Sequence, residues 1–317
     1  MRSLARSSLL LVVIGALWAV PVLGTYLKSN FHELDHDVER YLGRSYVVHL
    51  PVGYNGASPL PVVLVFHGRG GFPGTVARQS QMDALADKHG FMAVYPEGIG
   101  QPDNGSFNAG RCCGVAARIR VDDVGFARDL LDDLEKSYRI DSQRIYATGI
   151  SNGASMAFRL ACELSDRIAA IGPVSGNQGV DGPVPSRPVP VICFYGMRDP
   201  YMPPPMMLAT IAWWLKANHC AQKPVETVVG KAVVTERYEP VSGQYGAPVL
   251  FYKVSQGGHT WPGGVDINKG PGAGPTIASV PAGEIMWQFF ARHPLVRQEE
   301  IISIGPGQNS YLGNKRT

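Results

Sequence analysis

Short apolar runs alternate with amphipathic segments along most of the chain. Apolar runs bounded by turn residues predict buried strands, and apolar residues three or four positions apart predict helices. The predicted strands are 45–50, 61–66, 91–95, 144–150, 168–174, 189–195 and 249–255, and the predicted helices are 79–89, 122–138, 153–164, 206–218 and 281–292. This alternation predicts an α/β fold with a mostly parallel central sheet and helices on both faces.

The first 24 residues have the layout of a secretory signal peptide. Arg2 and Arg6 precede an apolar stretch over 9–23, and small residues follow it. The alternative is an uncleaved membrane anchor, but about 15 apolar residues fall short of the ~20 that span a bilayer. We therefore expect a leader over 1–24, a single catalytic domain over 25–296 and a polar tail over 297–317. The mature protein is then secreted or periplasmic and has no stable membrane span.

Composition narrows the class of protein further. The 317 residues are 45% hydrophobic and 17% charged, which is typical of a globular protein with a large core. The net charge of +3 is too small to indicate a nucleic-acid partner. Histidines and cysteines lack the spacing of a ligand set, so neither a metal nor another cofactor is expected.

Export to an oxidising compartment makes the five cysteines informative. Cys193 lies inside an apolar run and is expected to be a buried thiol. Cys112, Cys113, Cys162 and Cys220 remain as candidates for two disulfides. Because adjacent cysteines form a strained ring, Cys112 and Cys113 are expected to reach different partners. The alternative is that all four are free thiols.

The segment 149–153 has the form G-x-S-x-G and lies between a predicted strand and a predicted helix. A serine hydroxyl is a weak nucleophile, so an enzyme must expose it beside a base and near donors for an oxyanion. A tight strand-to-helix turn meets these needs, with glycines where strand and helix pack closely. Ser151 is therefore the candidate nucleophile.

Two later strands are followed by residues that suit the other positions of a serine hydrolase triad. Asp199 follows the strand 189–195, and His259 follows the strand 249–255 within a glycine-rich segment. The order serine, acid, histidine is that of α/β-hydrolases. The alternatives are a turn-forming Asp-Pro at 199–200 and a solvated loop histidine at 259. The reserve acids are Asp166, Asp181 and Asp266.

Two further groups complete the predicted site. The glycine-rich turn 67–71 follows a strand, and its backbone amide at Arg69 can face an oxyanion together with the amide of Asn152. The alternative for this turn is a phosphate-binding loop, but no Gly-Lys-Ser/Thr sequence follows it. Trp261 lies beside the candidate base and is predicted to line the substrate site, with core packing as the alternative.

Four separated segments resemble one known family. Segments 108–114, 121–126, 147–153 and 257–264 together resemble the secreted polyhydroxybutyrate depolymerase and feruloyl esterase group of α/β-hydrolases, over roughly residues 43–293. The resemblance implies an α/β-hydrolase fold and a Ser151, Asp199 and His259 triad that acts on an ester. Arg69 and the Met197-Arg198 pair depart from the smaller or neutral residues that the resemblance leads one to expect.

The predicted function is therefore a secreted serine esterase. Its expected substrates are short polyesters, hydroxybutyrate oligomers or small acyl esters. One alternative is a feruloyl or acetyl-xylan esterase that acts on plant polysaccharide esters. The other is a secreted binding protein that keeps the fold without turnover.

Overall fold

A computed structural model describes residues 31–33, 44–100, 104–179, 183–229, 233–267 and 272–296. The predicted leader and the predicted polar tail lie outside the described residues. All ten described strands belong to one sheet, in the order β1-β2-β4-β3-β5-β6-β7-β10-β9-β8. The division of the chain into leader, domain and tail stays a prediction.

Six central strands of this sheet are parallel to one another. Antiparallel pairs extend it at both edges. The strands are β1 Phe31–Glu33, β2 Ser45–His49, β3 Leu60–Phe66, β4 Met92–Pro96, β5 Ile140–Ile150, β6 Ala170–Val174, β7 Val191–Gly196, β8 Val225–Val229, β9 Val233–Tyr238 and β10 Val249–Val254. The predicted mostly parallel sheet is confirmed.

Helices cover both faces of the sheet, because the central strands are apolar on both sides. The helices are α1 Pro73–Ser80, α2 Met82–His89, α3 Val115–Arg118, α4 Asp123–Ser137, α5 Asn152–Glu163, α6 Pro204–Ala217 and α7 Ala282–Phe290. Helices α4, α5 and α6 share a core with alternate residues of β3 such as Leu64. Helices α1, α2 and α7 pack on the other face of the sheet, where they share a core with the remaining β3 residues, such as Val65. The predicted α/β-hydrolase architecture with helices on both faces is confirmed.

Two parts of the fold differ from the sequence-based expectation. The helix predicted over 79–89 is two helices, because Gln81 has a left-handed backbone (φ 57°) that ends α1 and starts α2. The edge strands β1, β8 and β9 were not predicted. In β8 the side chains of Val225 and Val228 are exposed, so this edge strand lacks the apolar core face that identifies a strand in a sequence.

The disulfide prediction is not supported, because all five cysteines are free thiols in the structure. Cys112 accepts a hydrogen bond from Asn152 at the start of α5, whereas Cys162 lies near the end of that helix, about 15 Å further along. Cys220 follows α6, where its thiol faces the Ala247 carbonyl at 3.1 Å. A disulfide needs Cα atoms within about 7 Å, so Cys112 and Cys162 in particular are too far apart.

Candidate active site

Ser151 lies at the turn between β5 and α5 in a strained backbone conformation, with φ 57° and ψ −118°. Its amide donates to the Val174 carbonyl at the end of β6, at 3.0 Å. Non-glycine residues with positive φ cost energy and persist where the surrounding structure fixes them. The turn therefore holds the Ser151 side chain at the carboxyl end of the parallel sheet.

Glycines on both sides of Ser151 allow strand and helix to pack against the neighbouring strand β3. A β-carbon on Gly149 would lie 2.5 Å from the Phe66 carbonyl oxygen, and one on Gly153 would lie 2.2 Å from the same atom. Both distances are far inside van der Waals contact. Only glycine therefore fits at either position without moving β3.

Asp199 and His259 are brought together at the ends of β7 and β10, which are neighbours in the sheet. His259 Nδ1 lies 2.7 Å from Asp199 Oδ2, and the Asp199 side chain is fully buried. The other carboxylate oxygen accepts the amides of Tyr201 at 2.8 Å and Met202 at 3.0 Å. These three contacts fix the carboxylate and orient the imidazole ring.

A pocket of about 250 Å³ joins Ser151 and His259. Its wall includes the turn 67–71 after β3, and Thr75, Arg78 and Gln79 of α1. Ile150 and Ile267 add apolar surface. The predicted nucleophile Ser151 and the predicted base His259 therefore face one cavity. The predicted acid Asp199 is hydrogen-bonded to His259 and does not line that cavity.

In the turn 67–71, the Arg69 amide has no acceptor among the described residues. Gly70 donates to the Gly105 carbonyl at 2.8 Å and Gly71 donates to Gly68 at 3.0 Å, but the Arg69 amide has no such bond. Asn152 is the first residue of α5, where the amide has no partner within the helix. The structure thus leaves free the two amides, at Arg69 and Asn152, that the sequence pattern singles out.

His67 supports this turn and was not identified from the sequence. Its Nε2 accepts the Gly98 amide at 2.9 Å, so the ring proton lies on Nδ1 and points to the Gly68 carbonyl at 2.8 Å. Burial lowers the pKa of His67 to about 4. The ring is therefore neutral at pH 7, and it ties the turn to the segment after β4.

Comparison with known proteins shows which family the sequence resembles. A family model described as Esterase PHB depolymerase matches residues 44–182, which include Ser151. NocK of Nocardia uniformis subsp. tsuyamanensis is 31% identical over 235 residues, covering 64% of this chain and 66% of that protein. Feruloyl esterase B of Piromyces equi is 29% identical over 236 residues, covering 68% of this chain and 42% of that protein.

The chain is thus similar to the esterase group of PHB depolymerases and feruloyl esterases. The matched segments span less than two thirds of the length of both relatives. Among solved structures, the acetyl xylan esterase from Aspergillus awamori has a TM-score of 0.59 at 16% identity, covering 83% of this chain and 99% of that chain. At that identity the likeness shows the shared fold.

Residues within 108–126, where the sequence resembles this family, form a support for the nucleophile turn. Asn152 Oδ1 accepts the Phe107 amide at 2.7 Å, and its Nδ2 donates to the Phe107 carbonyl at 3.0 Å. One residue further, the Asn108 amide donates to Asp123 at 2.5 Å. Asp123 in turn pairs with the buried Arg44 at 2.6 Å. The loop 104–114 is thereby attached to both α5 and α4.

One aromatic residue lies away from its predicted place, and another makes a contact that was not predicted. Trp261 is only 1% exposed and packs in the core on the α1, α2 and α7 face, and it does not line the described pocket. Tyr201 instead has its ring in edge contact with His259, with ring centres 5.1 Å apart. Its position two residues after the acid was the only sequence cue to this contact.

The two described reserve acids do not line the pocket that joins Ser151 and His259. Asp166 is exposed after α5, and Asp266 is exposed one residue before the lining residue Ile267. Asp181 lies outside the described residues. The described ranges contain no group of three or more acidic, histidine or cysteine side chains that could hold a metal ion. Within the same ranges, no helix is long and apolar enough to cross a membrane.

Proposed function

We propose that this protein is a serine esterase that cleaves carboxylic esters through an acyl-enzyme on Ser151. The observation that carries the proposal is the 2.7 Å contact between His259 and the buried Asp199, at the pocket onto which Ser151 also opens. Similarity to an esterase family supports ester hydrolysis as the reaction. Ser151 is then the nucleophile, His259 the general base and Asp199 the residue that orients it.

The hydrogen bonds of Asp199 support this assignment of roles. An ionised carboxylate only accepts hydrogen bonds, so His259 Nδ1 carries the proton in that contact. The neutral ring then has Nε2 free to take the Ser151 hydroxyl proton. Asp199 stabilises the imidazolium that forms, and its bonds to two backbone amides keep the carboxylate in place.

The proposed oxyanion donors are the amides of Arg69 and Asn152. When Ser151 attacks the ester carbonyl, the carbonyl oxygen of the substrate gains negative charge. Two free amides at this position stabilise that charge. The start of α5 contributes the positive end of its helix dipole at the same point. The removal of one such donor typically costs about 3 kcal/mol of transition-state stabilisation.

The second half of the proposed reaction reverses the roles of the base. His259 gives its proton to the alcohol that leaves, and Ser151 stays acylated. A water molecule then gives a proton to His259 Nε2 and attacks the acyl carbonyl. The bond between the acyl group and Ser151 then breaks, the acid is released, and His259 returns the proton to the Ser151 oxygen, which restores the hydroxyl.

Small or short oligomeric esters are the substrates that we propose. A pocket of about 250 Å³ lies below the usual range for drug-sized ligands, which favours a small group beside Ser151. Hydroxybutyrate oligomers and short acyl esters meet that limit. Relatives named feruloyl esterase B and acetyl xylan esterase support polysaccharide esters as the alternative. We also propose that the protein is exported, on the basis of the apolar segment 9–23.

The test is hydrolysis of p-nitrophenyl acetate, p-nitrophenyl butyrate, hydroxybutyrate oligomers and methyl ferulate. We expect Ser151→Ala to abolish turnover and Asp199→Asn to lower kcat by about 10³- to 10⁴-fold, since an amide in place of the carboxylate disturbs the histidine tautomer. Asp166→Asn, an exposed acid outside the pocket, is the matched control and should retain wild-type rates. If a folded wild-type protein hydrolyses none of the panel, the binding-protein alternative gains support. Activity that survives Ser151→Ala would contradict the assigned nucleophile.

A further inference from the structure

We propose that the pocket beside Ser151 selects esters that carry a free carboxylate, and that Arg69 and Arg78 recognise this second charge. The inference rests on the proposed function, because it names the substrate class of the same site. The inference concerns the charge that the substrate carries beside the ester bond, and it leaves the type of bond that is cleaved unchanged. Arg69 and Arg78 therefore act here as specificity-determining residues.

The charges around the pocket all have one sign. Arg69 and Arg78 line it, and no aspartate or glutamate of the described chain does. Asp266 comes nearest in sequence, one residue before Ile267, but it is not a lining residue. The buried His67 is neutral at pH 7, because burial lowers its pKa to about 4. The pocket therefore presents positive charge to a ligand.

Neither arginine is neutralised by a carboxylate of the described residues. Within the described ranges, Arg69 and Arg78 form no ion pair and no side-chain hydrogen bond. Most other arginines with restricted exposure are paired with carboxylates. These paired arginines are Arg44, Arg144, Arg159 and Arg167. Arg69 and Arg78 are more exposed than these four, and their unpaired guanidinium groups leave five donors each for a ligand.

The two arginines approach the cavity from different elements. Arg69 belongs to the turn that follows β3, and its Cγ lies 3.8 Å from the point that a β-carbon on Gly114 would occupy. Arg78 lies in the last turn of α1. Both side chains are exposed, so they can reorient toward a ligand carboxylate. Ile150 and Ile267 provide the apolar surface that the alkyl part of such an ester would cover.

The expected strength of this selection follows from the exposure of the arginines. Exposed ion pairs are weak and are screened by salt, so each arginine should change the preference by about 2- to 5-fold. Two arginines at a concave site together give about tenfold, with a further contribution from electrostatic steering at low salt. The preference should fall as the salt concentration rises.

The test compares two probes that differ only in charge. They are p-nitrophenyl hemiadipate, which ends in a carboxylate, and the same ester with that end converted to a primary amide. We expect wild-type protein to favour the anionic ester about tenfold in kcat/KM. Arg78→Gln should lower this ratio by about 2- to 5-fold, and the double variant Arg69→Gln/Arg78→Gln should bring it close to one. Arg78→Lys, which retains the charge, should keep most of the preference.

Arg128→Gln is the matched control, because Arg128 is an exposed arginine on α4, on the other side of the sheet from α1. It removes the same charge and should leave the ratio at its wild-type value. A wild-type ratio near one, or a ratio that the double variant does not change, would overturn the inference even if both esters are hydrolysed.

A binding measurement separates this inference from the proposed function. Calorimetry with Ser151→Ala protein compares adipate with adipamide and needs no turnover. If neither ester is hydrolysed, the proposed function fails. Adipate binding that exceeds adipamide binding and is lost in the double variant would still support the inference. Equal binding of adipate and adipamide would refute it.

Discussion

Replacing Asn152 with alanine removes the side chain that ties the nucleophile turn to the loop 104–114. Its amide group makes two hydrogen bonds to one residue, since Oδ1 accepts the Phe107 amide at 2.7 Å and Nδ2 donates to the Phe107 carbonyl at 3.0 Å. Asn152 and Phe107 are both fully buried. The substitution therefore leaves the buried Phe107 amide without a described partner, whereas the Phe107 carbonyl keeps the bond that it accepts from the Ala109 amide at 2.9 Å.

The cost can be estimated from these two groups. The Phe107 amide loses its only described partner, which costs about 1–3 kcal/mol, and the loss of the second bond to the Phe107 carbonyl adds about 0.5–1.5 kcal/mol. We expect Asn152→Ala to lower the free energy of unfolding by about 2–4 kcal/mol, since a water molecule can enter the space that the amide leaves and bind one of the groups. Asn152→Asp keeps the acceptor for the Phe107 amide and loses only the donor.

Urea unfolding followed by circular dichroism measures this change, with equal m-values as the check that both proteins unfold in the same way. The matched control is Asn55→Ala. Asn55 is an asparagine whose Oδ1 also accepts a backbone amide, that of Ala57 at 3.0 Å, at an exposed position. The control should cost no more than about 0.5 kcal/mol. If Asn152→Ala is no less stable than this control, the two buried bonds do not support the turn and the argument fails.

Three other predictions follow from burial and packing. Acidification from pH 7 to pH 4 should lower the free energy of unfolding by up to ~3 kcal/mol for each of His67 and His293. Burial lowers the pKa of both histidines to about 4 in the folded protein. In the unfolded chain their pKa is near 6.5, so the unfolded chain binds these protons first as the pH falls. Urea unfolding at pH 7, 5.5 and 4 measures this, and His67→Gln should remove its share of the slope. Gly153→Ala should prevent folding or lower the melting temperature strongly, since its β-carbon would lie 2.2 Å from the Phe66 carbonyl oxygen, whereas Gly68→Ala, with no contact under 3.4 Å, should still fold. Titration of the unfolded protein with Ellman's reagent, after expression in an oxidising compartment, should find five free thiols, and a single thiol would instead support two disulfides.

The positions of the three triad candidates were predictable because each follows a central parallel strand. Ser151, Asp199 and His259 come after β5, β7 and β10, whose carboxyl ends lie at one edge of the sheet. These strands are apolar on both faces, and that pattern is visible without a structure. The order of residues along the chain therefore sufficed to predict that the three side chains lie at one edge.

Features fixed by tertiary contacts could not be predicted in the same way. The apolar spacing of 79–89 continues through Gln81, so nothing in the pattern reveals the backbone reversal that separates α1 from α2. Trp261 packs in the core and Tyr201 contacts His259, in a region where the segment after β10 is also held by a backbone bond from His259 to Ala273. Loop register of this kind depends on contacts between distant segments rather than on local periodicity.

The same reasoning explains why the motifs in 108–126 accompany the serine motif. Asp123 divides its two oxygens between Arg44 and the Asn108 amide, and the buried guanidinium also lies 3.9 Å from the centre of the Phe126 ring. A buried charge is stable only when it is paired and hydrogen-bonded, so Asp123 has to stay in this arrangement. The residue beside Asn108 is Phe107, which binds Asn152. Rigidity at Asp123 is therefore transmitted through two consecutive residues to the residue after Ser151, and these motifs act as supports of the turn that presents the nucleophile.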